Sequence, residues 1–196
     1  MTLDIGVHAL PRGSLAAVVT TLEMTAPHYD AVLPFPKGVT ASREKLSLAD
    51  YRALFRAVGQ SWLWISRLTY DDDKLAGIIH DPAVETHVIR RDGTAIGLVE
   101  LDFRQDAVSL SFFGLVPDAT GSGIGKAMMA LAQTRAFADG APKLWLTTCT
   151  LDAPWALPFY HGQGFTTVKR EIEVLADPRL SAIFPPSAGA MHTVLP

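Results

Sequence analysis

The chain has 196 residues, 48% of them hydrophobic, and a formal net charge of −3, which is material for one domain with its own core over 1–196. The acidic balance and the absence of a Lys/Arg cluster exclude the basic field that nucleic acid requires, and no apolar run reaches the ~18 residues of a membrane span. The lone Cys149 excludes an internal disulfide and fits a cytoplasmic location.

In chain order, residues 15–24 are rich in Ala, Val, Leu and Thr and predict a first strand. Residues 26–47 carry Pro27, Pro34, Pro36 and Gly38 and predict a connector. Ser47 and Asp50 offer cap oxygens to a helix through Tyr51, Leu54, Phe55 and Val58. A second helix near 71–80 stops at Asp81-Pro82. Strands follow at 85–89, 95–103 and 108–115, with Asp92-Gly93 as a hairpin turn. Ile124, Ala127, Met128 and Leu131 recur at helical spacing. A strand at 144–149, a short helix at 153–160 and a long strand at 165–175 complete the pattern. The Pro- and Ala-rich tail after Asp177 ends in an expected strand at 191–195. The N-terminus carries Asp4 and His8 where a signal peptide would be basic.

Between the strand ending near Val116 and the helix from Ile124 stand Thr120, Gly121, Ser122, Gly123, Ile124, Gly125 and Lys126. Glycine permits sharp turning and close approach of backbone to a ligand. A helix start offers unpaired N–H groups and the positive end of the helix dipole, so this segment suits phosphate. It is not a P-loop, because Thr120 stands where the first glycine belongs and Ala127 where the metal-holding hydroxyl belongs. Nor is it a dinucleotide fingerprint, since the third glycine falls on Lys126 or Met128.

The run 120–125 resembles the coenzyme A loop of the GCN5-related N-acetyltransferase family, [QR]-x-x-G-x-[GA], with Thr120 at the Arg/Gln position. Pro158, Phe159, Tyr160, His161, Gly162, Gln163, Gly164 and Phe165 resemble the family's A-L-Y-x-x-x-G-F ending, and Ala153 stands where an Asn is frequent. The motifs place the resemblance over about 85–175. It implies an α/β (α+β) fold with a mixed, mostly antiparallel central sheet flanked by helices. It also implies acetyl-CoA as cofactor, held by 120–126 with Leu115 and Val116, and Tyr160 as the group that protonates or hydrogen-bonds the leaving thiolate. The partner it implies is a small-molecule or peptide amine, with a homodimer left open.

An alkyl amine is protonated at neutral pH, so a carboxylate or a carboxylate-held water must take its proton. If Gln105-Asp106 is a two-residue turn, Asp102 faces Ser109 and Glu100 faces Ser111, all on one face. Glu100 is then the first candidate base and Asp102 the second, with Ser109 and Ser111 on the acceptor's side. A backbone N–H near 114–116 is expected at the carbonyl oxygen. Trp62, Trp64 and Tyr70 lie between the two predicted helices, where the family shapes its acceptor pocket; core packing is the competing reading. Cys149 reads as a small buried hydrophobe, His161 as a surface residue, and the histidines show no zinc spacing. The expected activity is acetyl transfer to an amine in a ternary complex. O-acyl or longer-acyl transfer, or acyl-CoA binding without turnover, are the alternatives.

Overall fold

In a computed structural model, which describes residues 3–195, the chain builds one seven-stranded sheet. The strands are β1 (Ser14–Met24), β2 (Val39–Arg43), β3 (Val84–Arg91), β4 (Thr94–Asp102), β5 (Val108–Leu115), β6 (Leu144–Cys149) and β7 (Thr166–Ala176). They lie in the order β2-β3-β4-β5-β6-β1-β7, antiparallel at every junction except β5–β6. This is the expected mixed, mostly antiparallel sheet flanked by helices.

Local chemistry explains the helices. In α1 (Leu48–Gly59) the Ser47 hydroxyl accepts the Asp50 N–H at 3.1 Å, satisfying a first-turn donor. Its Leu54 and Val58 pack on Val88 and Leu98 of the sheet. The helix α3 (Asp72–Ile79) is capped in the same way by Asp71, which accepts the Lys74 N–H. Between them the chain makes a 3-10 turn (Gln60–Trp62), a left-handed Leu63 at φ 56°, and a short α2 (Ser66–Thr69). On the other sheet face α4 (Ile124–Phe137) buries residues all around its axis, from Ile124, Met128 and Met129 to Ala136, as a helix enclosed by the core must. A short α5 (Ala156–Gly162) then leads into β7.

Three expectations change. The connector 26–47 contains β2, which pairs with β3 from Val39↔Arg91 to Arg43↔His87. The prolines all precede it, so Val39 onward keeps its donors for an edge pairing. No strand forms at 191–195; the buried Arg179 guanidinium binds Asp177 and the carbonyls of Ala188, Gly189 and His192, which coils the tail. The link from β4 to β5 is no two-residue turn either, because β4 ends at Asp102 and β5 begins at Val108. By contrast Asp92 and Gly93, at φ 49° and 82°, make the tight β3–β4 turn as expected.

Candidate functional site

Register creates the site. The parallel strands β5 and β6 pair only at Val108↔Leu144 and Ser109↔Trp145 and then diverge. In the gap lies a cleft of ≈ 790 Å³, walled by Leu110 to Leu115 on one side and by Thr147, Thr148 and Cys149 on the other. It joins the glycine loop, at the start of α4, to Trp62 and Trp64, beside α1 on the opposite sheet face.

A bulge shapes the β5 wall. Leu101 pairs with Leu110 but Glu100 with Phe112, so Ser111 has no opposite number on β4. The expected pair Asp102↔Ser109 is present, but Glu100 faces Phe112 in place of Ser111 and Val99 faces Phe113. The expected polar quartet is thereby broken, and Ser111 is turned to line the cleft. Beyond the bulge the Val116 N–H donates to the Ile96 carbonyl at 2.8 Å. Antiparallel alternation therefore directs the Leu115 and Phe113 N–H groups away from β4, toward the gap.

The loop is a set of backbone donors. Gly121 and Gly123 lie at φ 73° and 82°, in the left-handed region. No side chain caps α4, and among the described residues the N–H groups of 121–125 donate to no loop or side-chain acceptor. Thr120, Gly121, Gly123, Gly125 and Lys126 line the cleft, whereas Ile124 is buried in the core and anchors the helix start. The hydroxyls of Thr120 and Ser122 turn back to the Pro117 and Ala119 carbonyls at 2.8 Å each. What this loop offers to a phosphate is thus its N–H groups, Lys126 and the helix dipole.

Tyr160, on α5, lines the cleft and is 9% exposed, its ring packed by Phe113, Phe159 and Phe165. Its hydroxyl has no hydrogen-bond partner among the described residues. Burial, reinforced by the negative charge of Asp152, raises its pKa well above the usual phenol range, so it remains a proton donor. Cys149 also lines the cleft, and burial and Asp152 push its thiol up, against a thiolate nucleophile.

Trp62, Trp64 and Ser111 reach the cleft, whereas Tyr70, Ser109, Glu100, Asp102 and Val116 do not line it. Tyr70 packs with Tyr51 and Phe55 and has Lys74 Nζ over its ring at 3.8 Å. Ser109 contacts the Ser111 hydroxyl at 3.3 Å. Asp102 is held by Arg104, whose hydrogen bonds lower its pKa. Glu100 is fully buried between Arg67 Nη2, at 2.6 Å, and the Tyr51 hydroxyl. Burial and the Glu100 charge push the Tyr51 phenol up.

Asp152 and Trp155 are among the lining residues that escape the sequence reading. Asp152, after β6, accepts from Trp64 Nε1 at 3.0 Å, the Thr148 hydroxyl at 2.7 Å and the Cys149 N–H at 3.0 Å. Trp155, 58% exposed, meets Trp62 edge-on with centroids 6.0 Å apart. The available signal was their flanking of Ala153, the position at which the family resemblance expects an Asn. Trp64 itself depends on two absent side chains. A Cβ on Gly59 would meet Trp64 Cβ at 2.5 Å, and one on Gly114 would meet the indole at 3.0 Å and Val58 at 2.6 Å.

The family model described as Acetyltransferase (GNAT) family matches residues 49–165. That match begins well before the motif-carried region and stops short of its end. No curated protein sequence matches the chain at a significant level. Among solved structures it is similar to a GCN5-related N-acetyltransferase from Sphaerobacter thermophilus, with 16% identity and TM-score 0.58 over 82% of this chain and 51% of that one. It is also similar to one from Kribbella flavida, with 21% identity and TM-score 0.54 over 87% and 63%. At these identities the likeness is one of fold, and the chain spans about half to two thirds of the length of these structures.

Proposed function

The chain belongs to the acetyltransferase (GNAT) family, and on that premise we propose that it moves an acetyl group from acetyl-CoA to an amine by direct attack in a ternary complex. The observation that carries this is a cleft that joins an N–H-lined helix start to the largely buried Tyr160 and continues through the sheet to Trp62 and Trp64 on its opposite face. The family uses acetyl-CoA. The donor set fits its pyrophosphate: unspent N–H groups at 121–125, Lys126 beside them, and glycines that keep side chains out of the way.

When bound, acetyl-CoA supplies the acetyl group as a thioester. The chain's own groups do the rest. The loop and Lys126 hold the pyrophosphate, and the splaying of β5 from β6 leaves strand backbone free to grip the arm that carries the thioester. The Leu115 N–H, aimed into the gap, is placed to stabilise charge on the carbonyl oxygen. Tyr160 keeps its proton and donates it to, or hydrogen-bonds, the departing sulfur. Glu100 and Asp102 are engaged away from the cleft, so the amine's proton leaves through water held at Asp152, the partly buried carboxylate that lines it. The raised Cys149 thiol favours direct transfer over an acyl-cysteine step. The lone free cysteine fits a reducing, cytoplasmic setting. Among the described residues no helix is long and apolar enough to cross a membrane.

An acceptor screen with acetyl-CoA that follows free thiol tests this reading. Thiol release with amines, with the acetamide found by mass spectrometry, is the expected outcome. Release with alcohols alone would reassign the enzyme to O-acylation. Tight CoA binding without release across the panel would leave a binding module and overturn the proposal.

A further inference from the structure

We propose that the acceptor is a hydrophobic ammonium, a protonated amine on a flat apolar body of arylalkyl size, seated against Trp62 and Trp155 with its charge at Asp152. This rests on the acyl-transfer reading above and names the class of substrate that the same cleft takes.

The charge balance of the cleft points there. Buried carboxylates elsewhere in the chain have cations: Glu85 pairs with Arg43 and Arg135, Glu100 with Arg67, and Asp177 with Arg179. Asp152 differs. Its oxygens accept only from the neutral donors of Trp64, Thr148 and Cys149, and among the described residues no Lys, Arg or His reaches it as an ion pair. The one Lys or Arg that lines the cleft is Lys126, which belongs to the glycine loop. A partly desolvated carboxylate with neutral donors and no cation beside it is a place that a cation fills with gain.

The shape of the wall restricts which cation. The cleft that Asp152 lines is also walled by Val19, Trp62, Leu63, Trp64, Ile65 and Leu175, with Glu173 from exposed β7. Trp62 and Trp155 stand at 89° to each other, so a flat guest can face one ring and meet the edge of the other. Trp155 is a large apolar side chain left 58% exposed, although core packing explains Trp64. Indole faces also attract a desolvated ammonium. Among the described residues Glu173, on exposed β7, is the one further carboxylate of the lining, whereas Val19, Leu63 and Ile65 offer apolar surface that an apolar body buries.

The step balances as follows. The amine nitrogen forms a bond to the acetyl carbon and the thioester C–S bond breaks, giving the acetamide and CoA thiol. The ammonium loses two protons, of which one ends on the sulfur by way of Tyr160 and one goes to solvent through the water at Asp152.

The test titrates CoA-saturated protein, followed by tryptophan fluorescence, with 2-phenylethylamine, its neutral analogue 2-phenylethanol, and spermidine. The same amines are run in the thiol-release assay. At pH 7 phenylethylamine is expected to bind about 10-fold or more tightly than either competitor. Asp152→Asn should abolish the preference for amine over alcohol. Should that variant fold poorly, Trp155→Ala, on the surface, should weaken both aromatic probes with CoA affinity and circular dichroism unchanged. Equal binding of amine and alcohol, a preference for spermidine, or an indifferent Trp155→Ala would overturn the inference. Thiol release with other amines but no phenylethylamine binding would sink the inference and leave acetyl transfer standing. The expected binding without thiol release from any amine would sink acetyl transfer and leave the acceptor site standing.

Discussion

Glu100 and Asp152 are both carboxylates withdrawn from water near the same cleft, and their surroundings give them opposite character. Glu100 meets a cation, Arg67, and a phenol, Tyr51, and is fully buried. Asp152 meets three neutral donors, lines the cleft and, among the described residues, pairs with no cation. A buried carboxylate whose counter-charge is built in serves the fold, since removing it strands the partner charge. One that lacks a counter-charge but opens on a cavity is ready for a cation from outside. Sequence position favours Glu100, two residues from a second acid and on β4, next to the strand that leads into the loop; environment favours Asp152.

The largest effect that can test this contrast is on stability. Glu100→Gln leaves Arg67 buried and unpaired and should cost about 3–5 kcal/mol, read by denaturant unfolding, with kcat of the folded fraction nearly intact. An unchanged midpoint with a lost acidic limb of the pH–rate profile would invert the comparison and return Glu100 to the role of base. Next, Tyr160→Phe should lower kcat by about 10²-fold, with CoA affinity unchanged within about twofold; an unchanged rate would remove Tyr160 as acid. Because burial and Asp152 raise the Tyr160 pKa, the sign is definite. The donor form persists above the ordinary phenol range, so wild-type kcat should show no falling limb up to about pH 10.

Smaller effects sharpen the Asp152 side. Gly114→Ala would press Val58 and the Trp64 indole; a loss of about 1–3 kcal/mol is expected, with acceptor KM raised and CoA affinity kept. Thr120→Val should change the CoA Kd by less than about threefold, since its hydroxyl serves the Pro117 carbonyl and the proposed phosphate donors are backbone N–H groups. Last, Asp102→Asn loses a partly exposed pair with Arg104 and should cost under about 1 kcal/mol. The Asp102 pKa is lowered in the fold, so its contribution exists above the unfolded value of about 3.9 and fades as pH falls through the folded one. Wild type and variant should converge in acid.

Much of the architecture was legible in the chain. Composition and the spacing of apolar residues located α1, α3, α4 and the six longer strands, because helical and strand periods differ and turn residues bound each run. The Asp92-Gly93 turn and the Ser47 cap rest on chemistry within a few residues and came out as expected. The edge strand β2 was hidden because a short edge needs little pattern of its own; its partner β3 supplies the ladder. The side-chain faces beyond Leu101 were lost to one extra residue, Ser111, since a bulge reverses inward and outward for everything after it.

The sequence by itself determined the family and located the glycine-rich turn into α4 and the helix that carries Tyr160, because these are local objects. Only the tertiary structure decided which acids stand at the cleft. A carboxylate's role depends on which charges and donors the fold brings within a few ångströms, and Arg67 for Glu100 or Trp64 for Asp152 arrive there from distant parts of the chain.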